Sequence, residues 1–329
     1  MTPVGAGVVG GAQAFVVDLA QGLSRLGHRV TLFCAAGSDV PGVELVEVAV
    51  DRDAAGAGRV MPGQAIQPEP PKPLVEGFRR LFAELRARQL DAVSAHAFDA
   101  EAIELAEGLP VLHTLHLPPI SPRVTEAAKR SRSRFATVST SCQRAWAAAG
   151  VRCELLRNGV PAWEPPFEPV EPQALLVGRL SPEKGFEDGL RAAQMSGLTP
   201  VVVGQEYDPT YHPRLGAGKL VGPLSRGAVS ELMARSAVLL APVKWEEPFG
   251  LAVAEAQMAG CPVAGYRRGA LPEVVEEGVG GYLVEPDEVP ALAEAARRCL
   301  SLDRRAAHAG ALERLCLSKT LEAYEAALG

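Results

Sequence analysis

The sequence predicts an α/β protein built from two doubly wound, Rossmann-like domains. Two observations carry this. Short, branched, apolar runs alternate with helix-type patterns in both halves of the chain. Near the middle lies a stretch rich in proline, Pro161 to Pro172, with the composition of a linker. The 329 residues suit two domains of ordinary size, and 47% apolar content suffices for two cores. Aromatic residues make up only 5%, so those cores are expected to be aliphatic.

Taken in order, residues 1–11 form a glycine-rich loop entering a helix, with Phe15, Val16, Leu19, Leu23 and Leu26 on one face and Gly27 as its stop. Such a loop signals a phosphate or a close backbone approach. No apolar run before Gly5 can serve as a buried first strand. Strands are expected at 29–35, 45–50, 90–93, 110–115, 135–138 and 152–156. Between them, 51–74 reads as a loop, 78–85 and 99–107 as helices, and Thr140 or Ser141 as the cap of a helix running to Gly150. In the second half, strands at 174–178, 200–204, 220–221, 237–241, 262–266 and 282–284 alternate with helices at 186–195, 225–236, 252–259 and 271–276. Two final helices are expected at 289–300 and 311–328.

Net charge is −6 and no basic patch stands out, which argues against a nucleic-acid partner. Six cysteines lack any C-x-x-C spacing and read as buried thiols in a reducing compartment. No apolar run approaches a membrane span and the start lacks signal-peptide features, so a cytoplasmic protein is expected. No His, Cys and carboxylate spacing suggests a metal site.

The charged loops carry the chemistry. Arg179 and Lys184 flank a strand-end loop containing Pro182 and Gly185. Two cations at a helix entry suit a diphosphate; the alternative is two solvated surface charges. Glu247 and Glu255 stand eight positions apart, one in a loop and one two turns into a helix that starts near Gly250. Glu255 would accept from ribose hydroxyls or form a helix-surface salt bridge. Glu247 would accept from sugar hydroxyls or orient its loop, with Glu246 as its rival on spacing alone. Backbone N–H groups of Gly250 and Leu251 could take phosphate oxygens. The turn at Gly269 offers further N–H groups or simply caps the next helix. His96 and His116 each follow a strand and face the same edge, whereas His113 reads as packed within its strand and His28 as part of a turn.

These motifs resemble the retaining glycosyltransferases of the GT-B fold, glycosyltransferase family 4. Gly10-Gly11-Ala12-Gln13 and Gly27 to Leu32 are similar to its N-terminal loop, helix and strand, and Ala95-His96 and Thr114-Leu115-His116 sit where it carries histidines. Asn158-Gly159-Val160 resembles the end of its first domain, Val177 to Gly185 its donor-phosphate loop, and Glu247 to Glu255 its E-x7-E signature. The resemblance implies a nucleoside-diphosphate sugar of UDP or GDP type as donor, a hydroxyl acceptor and no bound metal or other cofactor. Arg179 and Lys184 would bind the diphosphate, Glu255 the ribose, Glu247 the donor sugar, and Phe249, Gly250 and Leu251 the sugar and phosphate through backbone. Gly10 and Gly11 would approach the phosphate, His96 the transferred sugar, and backbone near Pro223 and Leu224 the base. His116, Asn158 and Gly269 complete the implied substrate contacts. The family has a strand before the glycine-rich loop, and a start chosen too far downstream would explain its absence here. Ser94 and Ala270 depart from residues common in relatives. Expected domains are 1–160, on the acceptor side, and 173–312, which binds the donor, with 161–172 as linker and a C-terminal helix at about 313–329 packing back on the first domain. The rival readings are a non-catalytic or truncated sugar-nucleotide-binding protein and, further off, a dinucleotide-dependent oxidoreductase. The latter needs an acid after the second strand, where Asp39 is poorly placed.

Overall fold

A computed structural model describes residues 3–5, 10–49, 69–207, 210–216 and 218–329. The chain divides into two units, one of residues 1–157 with 318–329, the other of residues 158–317. Positions 6–9 of the N-terminal glycine-rich loop and the segment 50–68 lie outside the described residues, so the expectation of a missing first strand falls largely outside them. Gly5 forms an isolated parallel bridge to Asp39.

Unit 1 begins with helix α1 (Gly11–Arg25), whose buried face includes Phe15, Leu19 and Leu23. Strands β1 (Thr31–Ala35) and β2 (Glu44–Val48) pair in parallel. Helix α2 (Lys72–Arg86) starts at prolines that the sequence suggests are loop. Pro73 is tolerated because the first helical turn has no N–H partners to lose. Strands β3 (Val93–Ala95), β4 (Val111–Leu115), β5 (Arg134–Thr137) and β6 (Glu154–Leu155) form a second parallel sheet in that order. Helix α3 (Ala100–Glu104) follows β3.

Helix α4 (Pro122–Arg130), between β4 and β5, has no counterpart in the sequence reading. Its signal is the Ser121 cap, which accepts from Val124 N, followed by Pro122. Helix α5 (Thr140–Ala148) is capped by Ser139, accepting from Cys142 N, rather than by Thr140 or Ser141. The cap sits one residue earlier because only the extended residue before the first helical turn can turn its hydroxyl onto the N–H groups.

Unit 2 holds strands β7 (Glu171–Val177), β8 (Thr199–Val203), β9 (Lys219–Val221), β10 (Ser236–Ala241), β11 (Val263–Tyr266) and β12 (Gly281–Val284). All pair in parallel, in the order β12-β11-β10-β7-β8-β9. This is the dinucleotide-fold order, and the chain reverses direction across the sheet between β7 and β10. The crevice outside the carboxyl ends of those two strands is where such sheets bind ligands. Helices α6 (Phe186–Met195), α7 (Arg226–Arg235), α8 (Leu251–Met258), α9 (Leu271–Val274), α10 (Val289–Cys299) and α11 (Arg304–Leu315) connect and cover the strands. The core is aliphatic, with Leu176, Leu190, Val202, Val238, Leu240 and Leu292 buried together.

The single C-terminal helix expected at 311–328 is two helices, α11 and α12 (Leu317–Leu328). Cys316 is extended between them. Leu317 N donates to Val160 O and Val160 N to Leu315 O, so a short strand-like bridge interrupts the helix. Beyond the break α12 joins unit 1, where the Tyr324 hydroxyl meets Thr114 Oγ1 at 2.9 Å and Thr320 Oγ1 donates to Arg157 O.

Candidate functional site

The carboxyl ends of β7 and β10 bring two charged loops of unit 2 together. After β7 the chain makes a short 3-10 turn, Pro182–Lys184, and Gly185 turns left-handed at φ +67° to start α6. After β10 comes Pro242 to Gly250, and Gly250, at φ +90°, starts α8. The loops touch through backbone: Lys244 N donates to Glu183 O at 2.8 Å, and a Cβ on Gly185 would lie 1.9 Å from Pro242 O. Only glycine fits that approach.

The contact sets the first charged pair. Lys184 Nζ donates to Glu247 Oε2 at 2.7 Å, and Trp245 Nε1 donates to the same oxygen at 2.9 Å. Lys184 also lies 5.6 Å from the Trp245 ring centre. Of the two acids that spacing left as rivals, Glu247 is the one facing the cation. Glu246 accepts from Gly269 N at 2.8 Å, and Glu247 O accepts from Ala270 N. Gly269 is left-handed at φ +57°, and a Cβ there would sit 2.3 Å from Glu247 O. The Gly269 turn is therefore a brace for the glutamate loop.

Arg179 is not brought to Glu247. Its guanidinium donates to Glu183 Oε1 at 2.9 Å and stacks 4.4 Å from the Tyr207 ring centre. Ser181 Oγ donates to the same Glu183 oxygen. In the loop before α8, Phe249 and Glu247 are buried, while Leu251, the first residue of α8, is half-buried. The first N–H groups of α8 have no acceptor within the helix, which suits an anion. Glu255, read from sequence as lacking a protein partner short of a surface salt bridge, accepts from Arg226 Nε at 2.7 Å. Leu224 lies two residues before Arg226 and is exposed. Sequence reading missed Arg226, Trp245 as a donor, Glu183 and Tyr207. Nothing periodic marks them; each is defined by a neighbour distant in the chain or by a turn.

A second ionic cluster stands at the same strand ends. Buried Asp188 meets Lys244, Arg191 and, at 2.9 Å, the Tyr266 hydroxyl. Its three donors hold its carboxyl below the usual range despite burial. Lys244 also reaches Asp287, which accepts from Arg268.

In unit 1, Gly10 is the extended cap residue of α1 and Gly11 its first residue. Histidines from the ends of β3 and β4 meet: His96 Nδ1 lies 3.0 Å from His116 Nε2, and Ser94 Oγ lies 2.9 Å from His96 Nε2. Phe15 packs against both rings. Burial pushes the His116 ring down to about 4, and burial together with its histidine neighbours pushes His96 well below the ordinary value. Both are uncharged at neutral pH. His113 is buried on Phe135 as expected, with no hydrogen-bond partner for either nitrogen among the described residues. Asn158, at the start of unit 2, is buried, and its side-chain oxygen has no such partner. Among the described residues no helix is long and apolar enough to cross a membrane, and no group of three or more His, Cys, Asp or Glu could hold a metal.

Two parallel α/β units, one with cations and carboxylates at the switch point of a dinucleotide-type sheet, define a GT-B class protein. Family comparison agrees: residues 9–163 match Glycosyltransferase Family 4 and residues 163–312 match Glycosyl transferases group 1. The chain belongs to glycosyltransferase family 4. Among sequence relatives, the glycogen synthase of Mycobacterium tuberculosis is 26% identical over 89% of this chain and 83% of its own. A D-inositol 3-phosphate glycosyltransferase of Nocardioides is 32% identical over 46% of this chain and 41% of its own. Among solved structures, HepE of Anabaena, in complex with UDP and glucose, superposes with a TM-score of 0.78 at 20% identity, covering 97% of this chain and 96% of its own. Sucrose-phosphate synthase of Thermosynechococcus elongatus gives 0.72 at 17% identity, over 97% and 93%.

Proposed function

We propose that this glycosyltransferase moves a hexose-type sugar from a nucleoside-diphosphate sugar to an acceptor hydroxyl, with retention at the anomeric carbon and without a metal. The carrying observation is the Lys184–Glu247 contact at 2.7 Å, which joins the two signature loops at the carboxyl ends of β7 and β10. A cation and a carboxylate held side by side suit a sugar diphosphate, which presents negative phosphate and neutral hydroxyls to one pocket. In this reading Arg179 and Lys184 take the diphosphate, the α8 N-terminus at Gly250 and Leu251 takes phosphate oxygens, Glu247 takes sugar hydroxyls and Glu255 the ribose. Gly10, Gly11, His96 and His116 keep the roles that their resemblance implies. HepE has also been solved with UDP-glucose, which makes that donor the first to test.

The bond from the anomeric carbon to the diphosphate oxygen breaks as the acceptor oxygen bonds to the same face of that carbon. The acceptor proton passes to the departing phosphate oxygen. Charge grows on that phosphate, and preorganised cations stabilise it more than the ground state. Transfer or hydrolysis of a panel of UDP- and GDP-sugars is expected to proceed in a chelator and to give a product of unchanged anomeric configuration by NMR. Arg179→Ala and Lys184→Ala should each lower the rate by about 10²-fold or more. Wild-type rates in both variants would overturn the phosphate assignment, and an inverted product would overturn retention.

A further inference from the structure

We infer that Arg226 is a positioning residue for ribose recognition: it fixes the Glu255 carboxylate before the nucleotide arrives. The inference rests on the assignment of Glu255 to the ribose.

Glu255 stands two turns into α8, with Ala252, Ala254 and Ala256 among its neighbours on the helix. A glutamate ordered only on binding loses rotamer freedom at that moment. Arg226 removes that loss in advance. Its Nε–H donates to Glu255 Oε1 at 2.7 Å, across 29 residues of chain, with the Glu255 side chain only 18% exposed. A charge-assisted bond of this length is about twice as strong as a neutral one.

Arg226 is itself well placed to hold. It is the first residue of α7, which Ser225 caps by accepting from Ala228 N, and Ser230 Oγ donates to its carbonyl. Its backbone is thus fixed by the helix start, and only its side chain spans to α8. A carboxylate so held presents hydroxyl-accepting lone pairs in one orientation. Preorganisation of this kind raises affinity for the ligand that uses the orientation and leaves one that cannot use it unaffected. The effect should therefore appear as discrimination between nucleotides with and without ribose hydroxyls.

The test is calorimetric titration of the full chain with UDP and with 2′,3′-dideoxyuridine diphosphate, and in parallel with the two guanosine counterparts. Wild type is expected to favour the ribose form by about tenfold or more in Kd, and Glu255→Gln to abolish the preference. Arg226→Met should reduce the preference to near that of Glu255→Gln, and Arg226→Lys, which keeps the charge without the rigid fork, should fall between. Both nucleotides enter the same preparation, so poor folding lowers both affinities and leaves the ratio unchanged. If Glu255→Gln loses the preference while Arg226→Met keeps it, the positioning role is overturned and the ribose assignment stands. If wild type shows no preference, the ribose assignment falls and the inference with it.

Discussion

At the scale of single residues, one carboxylate oxygen of the E-x7-E loop receives two donors. Lys184 supplies charge and Trp245 a neutral N–H, both to Glu247 Oε2. The two should be separable. Trp245→Phe keeps the ring beside Lys184 and removes only the indole donor, at a cost of about 1 kcal/mol of orientation, or roughly fivefold in kcat/KM. Lys184→Ala removes the cation proposed to take the diphosphate and should cost far more. Initial rates with the best donor of the panel decide it. Equal losses in the two variants would show that Lys184 merely orients Glu247, as the tryptophan does.

At the scale of elements, the glutamate loop owes its shape to a turn on the next strand–helix connection. Gly269 donates to Glu246, and Ala270 donates to the Glu247 carbonyl. Adding a methyl at Gly269 would bring it to 2.3 Å from Glu247 O, on a backbone at φ +57°. Because the atoms it would meet are backbone and not a flexible side-chain end, relief requires the loop itself to move. Gly269→Ala is therefore expected to weaken UDP binding by about tenfold or more, together with a loss of 1–3 kcal/mol in stability. Calorimetry and thermal melts on one preparation check both. Unchanged binding would show that the brace is not needed.

At the scale of the whole molecule, unit 1 carries two buried histidines, His113 and His116, and a half-buried third, His96, whose shifted protonation makes its stability depend on acid. Burial lowers His113 and His116 to about 4, and His96 well below its ordinary value. The unfolded chain takes up these protons below about 6.5, whereas the fold keeps the rings neutral. Between those limits the unfolded state binds more protons, so stability falls as pH falls through the window from about 6.5 to about 4. For His113 alone the loss by pH 5 is about 2 kcal/mol, since one pH unit is worth about 1.36 kcal/mol. His113→Leu should lose correspondingly less stability between pH 7 and pH 5 in urea titrations. An identical pH dependence in the variant would refute this account of His113.

Alternating apolar runs, the Arg179–Lys184 loop and the E-x7-E spacing were enough to indicate two doubly wound units and the family. Period and spacing follow from local backbone geometry, which the sequence carries directly. Local signals also mislead over a residue or two, as at the Ser139 cap, the prolines opening α2 and the break at Cys316, where Val160 from far upstream interrupts a helical pattern. Partners were not legible. That Lys184 answers Glu247 and Arg226 reaches Glu255 depends on which strand ends lie side by side, and no residue pattern encodes that. The sequence by itself determined which residues stand at the carboxyl ends of β7 and β10. Only the tertiary structure decided which charge answers which, because an ion pair forms over a few ångströms of space between residues separated by tens of positions in the chain.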